Sequence, residues 1–121
     1  MSAAPTSHSR RIAFRFGLTG RRWGEAGPVV LLLFGRESAP AWLIGLVGSL
    51  LAHGAQVISL DDPTEPTSSR TARVAEYAAA INEAAVEIDG LSAVVGQGLG
   101  ASAASLAIEQ GLHVAQATLL A

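Results

Sequence analysis

Hydrophobic residues along this chain keep changing their period, and each change marks a new element. Ile12, Phe14 and Phe16 alternate with Arg11, Ala13 and Arg15, the two-residue period of a half-buried edge strand. A turn at Gly20 and a short piece around Trp23 are expected to complete a hairpin. "VVLLLF" (Val29 to Phe34) is a continuous apolar run between Pro28 and Gly35, as in a strand buried on both faces. Ser38 and Pro40 then open a helix, and Trp42, Leu43, Leu46, Val47, Leu50 and Leu51 give it an apolar stripe that ends at Gly54.

The same alternation continues to the last residue. "QVISL" (Gln56 to Leu60) reads as a second buried strand, followed by the loop "DDPTEPTSSR". Thr71 to Ile88 has helical spacing, with Val74, Tyr77, Ala78, Ile81, Ala85 and Ile88 on one side and Glu76, Glu83 and Glu87 mostly on the other. "LSAVV" (Leu91 to Val95) is a third buried strand, Ala101 to Gln110 a helix closed by Gly111, and "ATLLA" a final strand. Residues 1–9 show no periodicity and are expected to form a flexible tail, leaving 10–121 as one domain.

Strands alternating with helices imply an α/β protein of three layers, a mainly parallel sheet flanked by helices. Right-handed crossovers place Val29 to Phe34 between Gln56 to Leu60 and Leu91 to Val95. Ligands of such sheets bind beyond the carboxyl ends of the strands. That edge is expected to carry Phe34 to Ser38, Asp61 to Pro66 and Gln97 to Leu99.

Composition removes several classes of function. Half of the 121 residues are hydrophobic and 15% are charged, so the chain can build a core. A net charge of -2 and a pI near 5.8 speak against nucleic acid as a partner. All eight basic residues are arginines, and cysteine is absent, which excludes disulfides, thiolate metal sites and cysteine nucleophiles. Arg36, Glu37 and Pro40 interrupt the longest apolar region, so no membrane span is expected. The arginine-rich start contains Arg15 where an export signal needs apolar residues, which points to a cytoplasmic protein.

The stretch that carries chemistry is "VVGQGLGAS" (Val94 to Ser102), a strand turning sharply into a helix. Gly96, Gly98 and Ala101 fit the dinucleotide pattern G-x-G-x-x-A, but the acid expected about 20 residues further on is missing from "AQATLL". A dinucleotide-binding fragment is therefore one alternative. A nucleophile is the other use of such a turn. "RRWGEAGPVVLLLFG", "AHGAQVISLDDP" and "VVGQGLGASAASLAI" follow one another with the order and spacing of the α/β-hydrolase family, which the chain resembles over nearly its whole length. The last of these is similar to the nucleophile elbow G-x-S-x-G, with the elbow glycines at Gly96 and Gly100.

The resemblance fails at the motif's centre. Where the family has serine this chain has Gly98, which carries no group to attack an acyl carbon. The family's His-Gly after the third strand is Phe34-Gly35, and "DDPTEP" puts Glu65 and Pro66 where a histidine and a glycine usually stand. The acid and histidine of a triad would follow later strands than these. His8, His53 and His113 read as surface residues, Asp61 and Asp62 as a solvated pair rather than a metal site, and Ser102 and Ser105 as helix packing.

The resemblance implies that backbone oxyanion donors survive at Arg36 and Leu99, with room for a small anionic ligand. No cofactor or metal is expected. The expected protein is a truncated, hydrolase-like pseudoenzyme, either a relic or a module for binding and association. The alternative is an ester or acyl hydrolase completed by another chain or a longer form. "ATLLA" lacks charge, proline and glycine, so self-association through the Gln116 to Ala121 edge is also expected.

Overall fold

The computed structural model describes residues 9–35 and 41–120. Its elements are β1 (Arg10–Ala13), β2 (Thr19–Trp23), β3 (Val29–Leu33), α1 (Leu43–Ala52), β4 (Gln56–Leu60), α2 (Arg70–Ala85), β5 (Leu91–Gln97), α3 (Leu99–Glu109) and β6 (Gln116–Leu120). The six strands form one sheet in the order β1-β2-β4-β3-β5-β6. β4, β3, β5 and β6 are parallel, and β2 and β1 add antiparallel at one edge. The sheet is mixed, and β3 lies between β4 and β5 as right-handed crossovers require.

The apolar run of β3 and the largely apolar β4, with Gln56 and Ser59 buried among its residues, lie at the centre, and every residue of both strands is buried. Alternate side chains then feed two separate cores. Leu31, Leu33, Ile58 and Leu60 pack under α2 and α3 with Tyr77, Ile81, Ala103 and Ala107. Val30, Leu32 and Val57 pack under α1 with Trp23, Leu43 and Val47. Ser69 starts α2 as a cap, its Oγ accepting the Ala72 N–H at 3.1 Å.

The first hairpin departs from the sequence pattern. Alternation extends the first strand to Phe16, yet β1 ends at Ala13 and residues 15–17 form a 3-10 turn. Phe16 sits there at φ 62° and is 77% exposed. The turn is made before Gly20, which lies inside β2 opposite Ile12. A side chain at position 20 would collide with the Ser59 carbonyl of β4, so this glycine serves close strand approach and not a turn. Other boundaries shift slightly: α2 stops at Ala85, α3 begins at Leu99, and β6 runs from Gln116 to Leu120. The helix-opening Ser38 and Pro40 lie outside the described residues.

Tyr77 joins α2 to the sheet. It is fully buried on α2, and its hydroxyl donates to the Leu60 carbonyl at the end of β4 at 2.8 Å. Burial, followed by the negative charges of Asp62 and Asp61, pushes its phenol far above the ordinary tyrosine range, against a weaker opposing backbone hydrogen bond at Gly35. A phenol whose pKa is raised by folding contributes stability that is fully present below pH ~10, its unfolded value. That stability falls as pH rises further, because only the unfolded state ionises readily. Tyr77 is the chain's only tyrosine. In an alkaline titration, tyrosinate absorbance is therefore expected to appear in one step coincident with the loss of helical circular dichroism. A phenol that titrates near pH 10 while the helices persist would contradict this assignment.

Candidate functional site

The strand-to-helix turn at Gly98 is tightly constrained and lies on the carboxyl edge of the sheet. β5 ends at Gln97, and Gly98 caps α3 with φ 59° and ψ −124°, a conformation that strains any residue with a Cβ. The Gly98 N–H donates to the Leu120 carbonyl of β6 at 3.0 Å, while its own carbonyl accepts from Ala101 and Ser102. A Cβ at position 96 would lie 2.8 Å from the Ala101 Cα, and one at position 100 only 2.1 Å from the Leu33 carbonyl oxygen. Both flanking glycines are thus required by contact between α3 and the sheet. At Gly98 itself a Cβ would meet nothing within 4 Å. The tip of the turn has space for a side chain and holds none.

Around this tip the polar groups come from α2 and α3. Leu99 is the first residue of α3, so its N–H has no carbonyl within the helix to receive it, and it lies at the positive end of the helix. Arg70, at the start of α2, reaches across to Ser102, its Nη2 donating to Oγ at 3.1 Å. Gly98, Arg70 and Ser102 line an open hollow of about 730 Å³ whose apolar side is Leu106, Leu119 and Leu120. Sequence pattern assigns Ser102 and Ser105 to helix packing; instead Ser102 is half-buried and engaged by Arg70, and Ser105 is exposed. Arg36, the other expected backbone donor, lies outside the described residues.

The neighbouring loop corrects another expectation. Asp61 and Asp62 do not form a solvated pair, because the backbone sends them in different directions. The Asp61 side chain is 45% exposed, accepting from Thr19 Oγ1 at 2.8 Å and facing Arg11 at 3.4 Å. The Asp62 carboxylate is fully buried. One of its oxygens accepts the Thr64 N–H and hydroxyl at 2.8 and 2.6 Å, and the other accepts Arg73 Nη2 at 2.8 Å. Arg73 Nε also donates to the Thr64 hydroxyl at 2.9 Å. This closed set pins the loop after β4 to the first turns of α2, and so positions Arg70 as well. Asp-x-Thr followed nine residues later by an arginine was the signal available in the sequence.

His53 and His113 stay away from the turn. His53 ends α1 and His113 follows α3, both exposed, and both at the edge where strands begin. His8 lies outside the described residues. No group of three or more His, Asp or Glu side chains that could hold a metal occurs among the described residues. The dinucleotide pattern also lacks its second half, since β6 ends in Leu119 and Leu120 and not in an acid.

Neither a protein-family model nor a curated protein matches the sequence. Solved structures do. The fold resembles TT1662 from Thermus thermophilus with a TM-score of 0.71 at 18% identity, over 93% of this chain and 55% of that one. It resembles EstE7, an HSL homologue from a metagenome library, with a TM-score of 0.63 at 20% identity, over 93% and 43% of the two chains. EstE1, a thermostable carboxylesterase from a metagenomic library, gives 0.60 at 19% identity over 98% and 48%. These neighbours are α/β-hydrolase fold proteins, and the present chain shares that fold over part of their length. It spans about half the length of the solved structures it matches.

The buried carboxylate gives a direct test of how this edge is held. Removing one partner of a buried ion pair leaves the other uncompensated, at a cost of about 3–5 kcal/mol. Exposed pairs contribute under about 1 kcal/mol. Asp62→Ala is therefore expected to lower the urea unfolding free energy severalfold more than Asp61→Ala. Equal effects would show that the Asp62–Arg73 contact does not hold the loop.

Proposed function

We propose that this chain is an α/β-hydrolase-fold module without hydrolytic chemistry, acting through binding and association. The observation that carries this reading is Gly98: the turn has the backbone of a nucleophile elbow, with φ 59° and flanking glycines under steric demand, and no nucleophile at its tip. Acyl transfer by this fold needs a hydroxyl, a base that takes its proton and an acid that orients the base. His53 and His113 stand at the other edge of the sheet, so neither supplies the base. What remains at the turn is the first N–H of α3 with Arg70 beside it, a pair suited to a small anion such as a carboxylate or phosphate.

Purified protein is expected to hydrolyse p-nitrophenyl acetate no faster than a folded control protein. Gly98→Ser alone is expected to stay within about a hundredfold of background, the smallest rate enhancement that general-base assistance typically gives. A restored member of an interdependent set recovers little by itself. Turnover by the unaltered chain, or an acyl-enzyme burst from Gly98→Ser, would refute the reading and favour a hydrolase completed from elsewhere.

Association is assigned to β6, the outermost strand on its side. All five of its residues are exposed, and none is charged. The opposite edge, β1, carries Arg10 and Arg11, paired with Glu25 and Asp61, and such charges discourage edge pairing. A second copy of the chain fits β6 best, through antiparallel pairing that joins two sheets about a twofold axis. Light scattering over a dilution series is expected to show a concentration-dependent dimer that Leu119→Lys weakens. A monodisperse monomer at high concentration, unchanged by the lysine, would remove this role.

A further inference from the structure

The turn between β1 and β2 carries a side chain that the fold itself does not use. Phe16 is the one non-glycine residue at positive φ among the described residues, and at 77% exposure its ring stands largely in solvent. A bulky residue in this region is strained, and exposure denies it the burial that would offset the cost. The strain is nevertheless held in place. The Phe14 N–H donates to the Leu18 carbonyl at 2.8 Å, closing the turn. The Arg15 N–H donates to Glu87 Oε2, just beyond α2, also at 2.8 Å. The tip is thus braced against a helix while its aromatic ring contributes little to the core.

Charge is sorted to the same place. Residues 10–23 contain Arg10, Arg11, Arg15, Arg21 and Arg22 and no acid, whereas the rest of the chain holds three arginines and all ten acids. The pairing register sets arginine opposite arginine twice, Arg10 with Arg22 and Arg11 with Arg21. Like charges directly opposite destabilise a strand pair, so the arrangement does not serve the hairpin's own stability. Glu25 and Asp61 answer Arg10 and Arg11, and Arg22 donates through Nη2 to Gln56 Oε1. Arg15 and Arg21 are exposed and have no acid partner among the described residues. Five arginines against the three acids in contact with the hairpin, Glu25, Asp61 and Glu87, leave it a net charge of +2.

We infer that the hairpin tip docks on an anionic bilayer surface, with Phe16 entering the interfacial layer and Arg15 and Arg21 meeting lipid phosphates. Aromatic rings settle at headgroup level, and each arginine near an anionic leaflet adds to the attraction. Arg21 stands three residues past Leu18, about 10 Å of strand, so its long side chain still reaches the phosphates when Phe16 is inserted. The acidic remainder of the chain orients the molecule, turning the hairpin towards a negative surface and the rest away from it. No helix among the described residues is long and apolar enough to cross a membrane, and a contact at the surface requires none. Single-stranded nucleic acid would meet the same charge, but it is held by stacking on successive aromatic rings. Here Phe14 packs against the core and leaves Phe16 alone at the tip. The surface shares no residue with the Gly98 turn or with β6, so its test stands apart from the function proposed there.

The experiment is flotation of the full chain with vesicles of phosphatidylcholine, alone or mixed with an equal part of phosphatidylglycerol. Flotation leaves any aggregated protein at the bottom of the gradient. The chain is expected to bind the mixed vesicles at least about tenfold more tightly than phosphatidylcholine alone. Raising salt from about 0.05 M to about 0.5 M is expected to release it. Phe16→Gly removes the ring and relieves the positive φ, so it is expected to weaken binding about tenfold while melting no lower than the unaltered chain. Arg15→Gln combined with Arg21→Gln is expected to weaken binding about tenfold or more with the melting temperature unchanged. Absent flotation, equal binding to both vesicles, or full binding by either variant would overturn the assignment. A lower melting temperature in Phe16→Gly would overturn it too, by giving the ring a role in the fold. So would tight binding of a single-stranded oligonucleotide that Phe16→Gly leaves intact, which would assign the arginines to nucleic acid.

Discussion

The Leu33 carbonyl oxygen, at the end of β3, sets how closely α3 can approach the sheet. It would stand 2.1 Å from any Cβ at position 100, so only glycine lets the helix pass. With that approach allowed, Ala103, Ala104 and Ala107 come fully into the core, where larger side chains would hold the helix away. α2 then packs beside α3 over the same sheet face and brings Tyr77 down onto Leu60. The close contact also forces the chain to turn within one residue after β5, which puts Gly98 at a positive φ. One steric limit thus determines the packing of a whole layer and the backbone shape at its most reactive-looking point.

The two edges of the sheet consequently have different characters. At the carboxyl edge, several polar side chains belong to closed arrangements: Asp62, Thr64 and Arg73 satisfy one another, and Arg70 is engaged with Ser102. At the other edge, Arg22 is half satisfied, with Gln56 on one nitrogen and, among the described residues, no acceptor on another. Buried polar groups are generally paired. Chemistry in a hydrolase fold is sought at the carboxyl edge. Among the described residues, the one buried side-chain group without a hydrogen-bond partner lies at the opposite edge.

Much of the architecture was legible because it rests on apolar periodicity. The run at Val29 to Leu33 has no polar residue to expose, and Gln56 to Leu60 has only Gln56 and Ser59, which fits both as central strands. The turn at Gly98 was legible through its glycines, and its helix simply starts two residues earlier than the alanine run suggests. The first hairpin misled because alternation cannot register a left-handed residue, and Phe16 continues the pattern while leaving the strand. Asp62 misled for a different reason. Neighbouring acids in a polar loop look solvated, and only the fold brings Arg73 from eleven residues away to bury one of them. Arg22 was equally opaque, since an arginine in a polar-looking hairpin gains its buried neighbours only when β2 adds to β4.

The separation of the two cores distributes the chain's chromophores in a useful way. Trp23 lies in the cluster beneath α1 and Trp42 packs against it, whereas Tyr77 belongs to the cluster beneath α2 and α3. These are all the tryptophans and the only tyrosine in the sequence. Indole emission therefore reports on one layer and phenol absorbance on the other. The sheet between them makes this small domain self-labelled, so that loosening of either helical layer can be followed separately without introducing a dye or a mutation.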